Sequence, residues 1–329
     1  MILPLAVALG DPAGIGPEIT AKAWERREAD SLPPFFAVGA PEALRAVWNG
    51  PLQVVAGPDE AALCFGSALP VIRIDSAGET EPGRPTLEGA RNSLEALELA
   101  VGLTRSGASS ALVTGPVSKS QLYAIGFTHP GQTEFVAERC GIAADMAAMM
   151  LAGPTLRTVP VTTHVAFREV PALLTAELIV QRGRTTIRAL RRLFGIERPR
   201  LAVAGLNPHA GESGALGREE IEIVAPAIER LREEEADVTG PHAPDTMFHA
   251  RMRSTYDAAL CLYHDQALVP LKTLHFDEGV NITLGLPIVR TSPDHGTAFD
   301  IAGQGRAEPT AMLAAMRMAA ACASRLAAA

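Results

Sequence analysis

Three histidines carry most of the chemistry that can be read from residue type and spacing. His164 lies in VTTHVAF, His209 in LNPHAGE and His264 in LYHDQALVP, 45 and 55 residues apart (209 − 164 and 264 − 209). That spacing is far too wide for a zinc finger, whose ligands come in close pairs. What the three share is position, because each follows a short apolar run that reads as a buried strand. Three neutral imidazoles would leave a divalent cation its full charge and open coordination positions, as a Lewis-acid catalyst requires. Taken singly, each also suits an ordinary loop or a partly buried residue, and spacing alone does not choose.

The elements that must position them follow an α/β pattern, with short apolar runs alternating with longer helical periods, which predicts a largely parallel, covered sheet. Strands are expected at Leu3–Leu9, Phe35–Val38, Leu52–Val55, Val71–Ile74, Ala111–Val113, Thr158–Thr162, Leu201–Ala204, Ala258–Leu262 and Asn281–Leu284. Apolar residues three and four apart predict helices at Pro17–Arg27, Leu87–Arg105, Ala176–Leu193, Arg218–Glu235 and Pro309–Ala327. Polar segments follow several strands: Gly10–Gly16, Gly115–Lys119, Thr163–His164, Asn207–Gly217 and Tyr263–Gln266. Ligands of open α/β sheets bind beyond the carboxyl ends of the strands, so these loops are expected to share one cleft.

At 329 residues the chain is long enough for two α/β domains. A formal net charge of −8 argues against a nucleic-acid partner or an anionic membrane surface. Cys64, Cys140, Cys261 and Cys322 are scattered without a CxxC pair, as in a reduced protein rather than a disulfide framework. The opening MILPLAVALGDPAG lacks a basic start and its apolar run stops at Gly10-Asp11-Pro12, so a first strand fits better than a signal peptide. No apolar stretch approaches the ~18–20 residues of a membrane span, and Arg317 and Arg325 interrupt the alanine-rich tail, read as an amphipathic helix. A cytoplasmic enzyme with no membrane partner is the expectation.

Eight phrases occur in order between residues 10 and 303: GDPAGIGPEI, VTGPVSKS, HPGQTEF, VTTHV, LNPHAGE, YHDQALVPLK, GVNITLGLP and RTSPDHGTAFDIAG. Together they resemble the 4-hydroxythreonine-4-phosphate dehydrogenase family of vitamin B6 biosynthesis over nearly the whole chain. The resemblance implies that His164, His209 and His264 ligate one divalent cation (zinc, magnesium or cobalt), with ligands drawn from both subunits of a homodimer. It implies oxidation of 4-phosphohydroxy-L-threonine by NAD or NADP to 2-amino-3-oxo-4-phosphooxybutanoate, which decarboxylates to 3-amino-2-oxopropyl phosphate. By analogy with isopropylmalate dehydrogenase it implies two α/β/α domains and an interdomain cleft. Residues 1–130 plus 294–329 would form the terminal domain, and 131–293 the central, metal-binding one.

Asp294-His295-Gly296-Thr297-Ala298-Phe299-Asp300-Ile301-Ala302-Gly303 is similar to the HGSAPDIAG loop of isopropylmalate and isocitrate dehydrogenases. That likeness assigns Asp294, His295, Gly296, Thr297 and Asp300 to the dinucleotide; a glycine-rich turn before the last helix is the other reading. No G-x-G-x-x-G occurs, so a Rossmann site is not indicated. The Gly10–Gly16 segment would either cradle an anion at the Pro17 helix start or form a tight structural turn.

Lys272, Asn281 and Arg290 fall where the family binds substrate, and Arg can grip a phosphate bidentately. Lys272 is also a candidate for catalysis. Asp245, in PHAPDTMF, matches a position beside the active site, as proton acceptor or metal-shell group. The family usually reads GHTE where this chain has Gly131-Gln132-Thr133-Glu134. Thr133 carries over as a substrate contact, whereas Gln132 keeps hydrogen-bonding capacity but cannot become cationic. Gln132 therefore keeps open a paralogous dehydrogenase acting on threonate or erythronate 4-phosphate or an aromatic cis-diol carboxylate. A metal-dependent hydrolase or transferase without a dinucleotide is the rival from another class.

Overall fold

A computed structural model describes residues 3–76, 78, 80–234 and 236–328. Glu235, the expected end of one helix, and Ala329, the expected end of the terminal domain, lie outside the described residues. Strands in chain order are β1 (Leu5–Ala8), β2 (Phe35–Gly39), β3 (Leu52–Val54), β4 (Leu69–Arg73), β5 (Leu112–Thr114), β6 (Ala148–Ala152), β7 (Arg157–Pro160), β8 (Arg200–Ala204), β9 (Asp237–His242), β10 (Ala258–Cys261), β11 (Val280–Leu284) and β12 (Arg290–Pro293).

The chain divides into two compact units, one of residues up to Gly141 with Leu286–Ala328, the other Ile142–Gly285. In the first, the strands run β3-β4-β2-β1-β5-β12, all parallel. Every residue of β1, β2 and β5 is buried. The Leu87–Arg105 helix packs on β1, β2 and β5; Thr86 caps it by accepting the Gly89 amide at 3.0 Å.

The second unit runs β11-β6-β7-β10-β8-β9. Here β6 is antiparallel to both β11 and β7, while β7, β10, β8 and β9 are parallel. Its long helix, Ala176–Phe194, lies over β6, β8, β10 and β11. Thr175 caps its start through the Leu178 amide, and Gly195 ends it at φ 67°, a left-handed turn that favours glycine.

Several expectations need correction. β6, β9 and β12 were not anticipated: AMMLA carries no alternation, DVTGPH contains Gly and Pro, and RTSP is polar. The Arg218–Glu235 helix is interrupted by a π-turn at Glu220–Val224 before its α-helical part, Ala225–Glu233. One helix, Thr310–Ala328, does have the length and hydropathy of a membrane span. It buries Met312, Leu313, Met316 and Cys322 and packs on β12, whose Thr291 donates its hydroxyl to Ala315 O at 2.9 Å.

The unit boundaries fall at 141/142 and 285/286 rather than 130/131 and 293/294. Arg139 pins the Gln132–Arg139 helix to Glu98 at 2.7 Å, and β12 pairs with β5. Both segments thereby join the terminal unit and take Gln132, Thr133 and Arg290 with them.

Candidate active site

His164 and His264 meet in the second unit. His164 follows β7, and His264 follows β10 in a parallel neighbour, so the carboxyl ends of adjacent strands bring them together. Their ring centroids stand 5.9 Å apart, tilted by 44°. That separation suits two imidazoles converging on one cation with nitrogen–metal distances of about 2.0–2.1 Å. They line a cavity of about 210 Å³ with Thr162, Val165, Phe167, Val170, Tyr263 and Asp265. His264 Nδ1 meets Asp265 Oδ1 at 2.7 Å, a contact that leaves Nε2 available to a cation and resembles the carboxylate support of metal-ligating imidazoles. Phe167 packs edge-on against Tyr263 at 5.2 Å. Burial, then Cys261 and Asp265 nearby, push the Tyr263 phenol above its ordinary pKa.

His264 is not a loop residue, as expected, but the first residue of the His264–His275 helix. The helix begins here because Gln266, buried, accepts the Leu262 amide at 2.6 Å and donates to the Gly205 carbonyl at 2.8 Å. Thr162 donates its hydroxyl to Leu262 O at 2.8 Å. The ends of β7, β10 and β8 are thereby stitched together, and each leads into one of the three histidine segments.

His209 is exposed on the segment after β8. Residues His209, Ala210, Gly211, Glu212 and Ser213 all hold left-handed backbone, with φ from 44° to 78°. For each non-glycine residue this costs about 1–2 kcal/mol, so the surroundings must enforce it. Of the seven non-glycine residues with positive φ among the described residues, six lie in segments with candidate site residues: His164, His209, Ala210, Glu212, Ser213 and Ala298. Among the described residues no group of three His, Cys, Asp or Glu side chains stands together as a cation site. One chain thus pairs His164 with His264 but does not bring His209 to them.

Asp245 is exposed on the short Pro244–Met247 helix, which packs against the His209 turn. Lys272 is half-buried on the His264–His275 helix. Asn281 sits on β11 opposite Leu151, and its side-chain oxygen is buried without a hydrogen-bond partner among the described residues. Such an atom is costly to leave unmatched and marks a position awaiting a donor.

In the first unit Arg290 is only 4% exposed, and burial lowers its pKa to about 10. Its Nη2 donates to the Thr114 hydroxyl at 2.7 Å and to Gln132 Oε1 at 3.3 Å. Gln132 in turn donates from Nε2 to Gly115 O at 3.2 Å. Thr133 follows, half-buried, in the Gln132–Arg139 helix.

The Asp294–Gly303 loop belongs to the same unit and is clasped from below. Ile15 N donates to Thr297 O at 3.0 Å. Glu18, 3% exposed, accepts from Gly303 N at 3.2 Å and Ala307 N at 3.0 Å, while Lys22 Nζ donates to Gly305 O and Ala307 O. His295, Gly296 and Asp300 remain exposed, and a side chain at Gly296 would meet nothing within 4 Å. An exposed carboxylate and open backbone suit the hydroxyls of a nucleoside. The Gly10–Gly16 segment is tightly packed: a Cβ at Gly10 would lie 2.3 Å from Pro116 O, one at Gly16 2.0 Å from Leu9 O, and the whole segment is buried.

Sequence reasoning missed Tyr263, Phe167 and Asp265 as cavity wall and Gln266 as the tie between strand ends. The signal for Asp265 and Gln266 was their place in YHDQ, directly beside a proposed ligand.

The family model for the pyridoxal phosphate biosynthetic protein PdxA matches residues 33–319. The chain is 58% identical to 4-hydroxythreonine-4-phosphate dehydrogenase of Zymomonas mobilis over 317 residues, covering 96% of this chain and 95% of that one. It is 54% identical to the enzyme of the same name from Erythrobacter litoralis, covering 98% and 97%. The crystal structure of 4-hydroxythreonine-4-phosphate dehydrogenase from Klebsiella pneumoniae superposes with a TM-score of 0.87 at 37% identity, covering 98% and 99%. With motifs, fold and match extending over nearly its full length, the chain belongs to the PdxA family of pyridoxal phosphate biosynthetic proteins.

Proposed function

We propose that this chain is an NAD(P)-dependent, divalent-metal-dependent dehydrogenase that oxidises 4-phosphohydroxy-L-threonine to 2-amino-3-oxo-4-phosphooxybutanoate. That product loses CO2 to give 3-amino-2-oxopropyl phosphate. The observation that carries the reading is the pair of imidazoles, His164 and His264, 5.9 Å apart in one cavity with His264 braced by Asp265. We assign zinc, magnesium or cobalt to this pair, with His209 supplied across a homodimer interface, because one chain holds two of the three ligands.

A bound cation would supply Lewis-acid chemistry at the substrate hydroxyl, and oxidised NAD or NADP would supply the hydride acceptor. The residues of the chain bind and orient. Arg290, with Thr133 and Gln132, takes the phosphate; its guanidinium is already aimed by two hydrogen bonds. Lys272 supplies a point charge, and Asn281 accepts a donor at its unmatched oxygen, for which the substrate ammonium is suitable. Asp245, or a water beside it, receives the hydroxyl proton. Asp294, His295, Gly296, Thr297 and Asp300 hold the adenosine end of NAD or NADP. We place the enzyme in the cytoplasm on its scattered cysteines.

Gln132 favours one second reading, a preference for threonate or erythronate 4-phosphate, because a neutral amide replaces the imidazole expected there. The test is a dehydrogenase assay on metal-stripped protein resupplied with zinc, magnesium or cobalt, with NAD and NADP. Formation of reduced nicotinamide from 4-phosphohydroxythreonine, lost in His209→Ala, is expected. Faster turnover of threonate 4-phosphate would assign the paralogous activity, and no reduced nicotinamide with any substrate would return the hydrolase or transferase alternative.

A further inference from the structure

We infer that Glu220 is the positioning residue of the His209 segment: its buried carboxylate holds the left-handed turn that presents His209. The inference rests on reading His209 as a metal ligand and goes beyond it to a residue eleven positions away.

Glu220 is 4% exposed, yet it makes no salt bridge among the described residues. Among the described residues its side-chain hydrogen bonds all go to the start of the His209 segment. Oε1 accepts the amides of Leu206 and Asn207, both at 2.7 Å, and Oε2 accepts Asn207 Nδ2 at 3.0 Å. Three donors converge on one group that offers only acceptors. An amide in its place would set a donor against Asn207 Nδ2.

The turn is shaped to this carboxylate. Gly211 crosses it at φ 78°, and a Cβ there would lie 2.6 Å from Oε2. Gly205, whose carbonyl Gln266 binds, would place a Cβ 3.2 Å from Oε1. Glu220 also opens the π-turn Glu220–Val224, and helical irregularities of this kind recur at functional sites. Glu219, immediately before the π-turn, accepts a second bond from Asn207 Nδ2 at 2.6 Å, so the side chain is gripped by both carboxylates. Four strained non-glycine residues, His209, Ala210, Glu212 and Ser213, follow directly from this anchor.

A residue that only stabilised the fold would affect melting; a positioning residue also moves metal affinity. The full-length protein is titrated with zinc against a chromophoric chelator, and amide hydrogen exchange is followed over residues 205–214, in the parent, Glu220→Gln, Asn207→Ala and His209→Ala. Glu220→Gln is expected to weaken zinc binding by about 10–100-fold, as for lost outer-shell support, and to speed exchange across the segment. Asn207→Ala, which keeps both backbone bonds to Glu220, is expected to move both in the same direction by less. Zinc affinity that falls in His209→Ala but is unchanged in Glu220→Gln and Asn207→Ala overturns the inference alone. Zinc affinity unaffected by His209→Ala overturns the ligand reading beneath it, whatever the exchange shows.

Discussion

Arg290 and Gln132 form a neutral–cation pair inside the first unit, with Arg290 Nη2 donating to Gln132 Oε1 at 3.3 Å and Gln132 tied to the Gly115 carbonyl. A protonated histidine at 132 would have nothing to offer a buried guanidinium, whereas the amide aims it. Gln132→Leu should therefore raise KM for the phosphorylated substrate about tenfold, from losing a bond to a charged group of ~1.5 kcal/mol, with a smaller change in kcat. Gln132→His should add a charge that fades as pH rises past about 6.5. The ratio of its KM to that of the parent should then grow between about pH 6 and about pH 8. A flat ratio would remove residue 132 from the phosphate site.

Gln266 joins Leu262 to Gly205 through one buried amide, and so links the segments that carry His264 and His209. Gln266→Leu keeps the volume but deletes both bonds. Leaving two buried polar groups without this partner costs about 2–4 kcal/mol. For units of this size each kcal/mol lowers the melting midpoint by about 2–4 °C, so calorimetry should show a loss of several degrees. A midpoint within a degree of the parent would mean that other groups replace the amide.

The sequence made the pairing of His164 and His264 foreseeable in outline, because apolar runs such as LAVA and AALC mark parallel strands and polar text after them marks loops at one sheet end. It did not disclose β12, since RTSP is polar and its burial comes from the Thr310–Ala328 helix laid on it. That strand, with the pinned Gln132–Arg139 helix, is why Arg290 and Gln132 belong to the terminal unit rather than the central one. The left-handed run from His209 to Ser213 was equally hidden. Gly211, Gly214 and Gly217 hint at a turn, but four of the five left-handed residues are not glycine, and the carboxylate tied to the start of the segment lies beyond it, on the next helical turn. Asn281 was recognised only by likeness to a family, and its unmatched oxygen depends on β6 and β11 pairing.

Asp11 offers a test of the buried first turn through pH. It is 1% exposed; burial raises its pKa from the usual 3.8, only partly opposed by the Ala13 amide donating to Oδ1 at 3.1 Å. A carboxyl whose folded pKa lies above its unfolded value binds its proton more tightly when folded. Its contribution is therefore fully present below about pH 3.8 and is lost as pH rises through the raised folded value, above which the buried charge is a constant cost. Asn can accept the same Ala13 bond without that charge. Asp11→Asn should accordingly gain stability relative to the parent as pH rises from about 4 to about 8, by ~1.4 kcal/mol for each unit separating the two pKa values. Paired urea unfolding across that range measures the difference directly. A gap that does not change with pH would show that Asp11 titrates alike in both states and that the turn does not desolvate it.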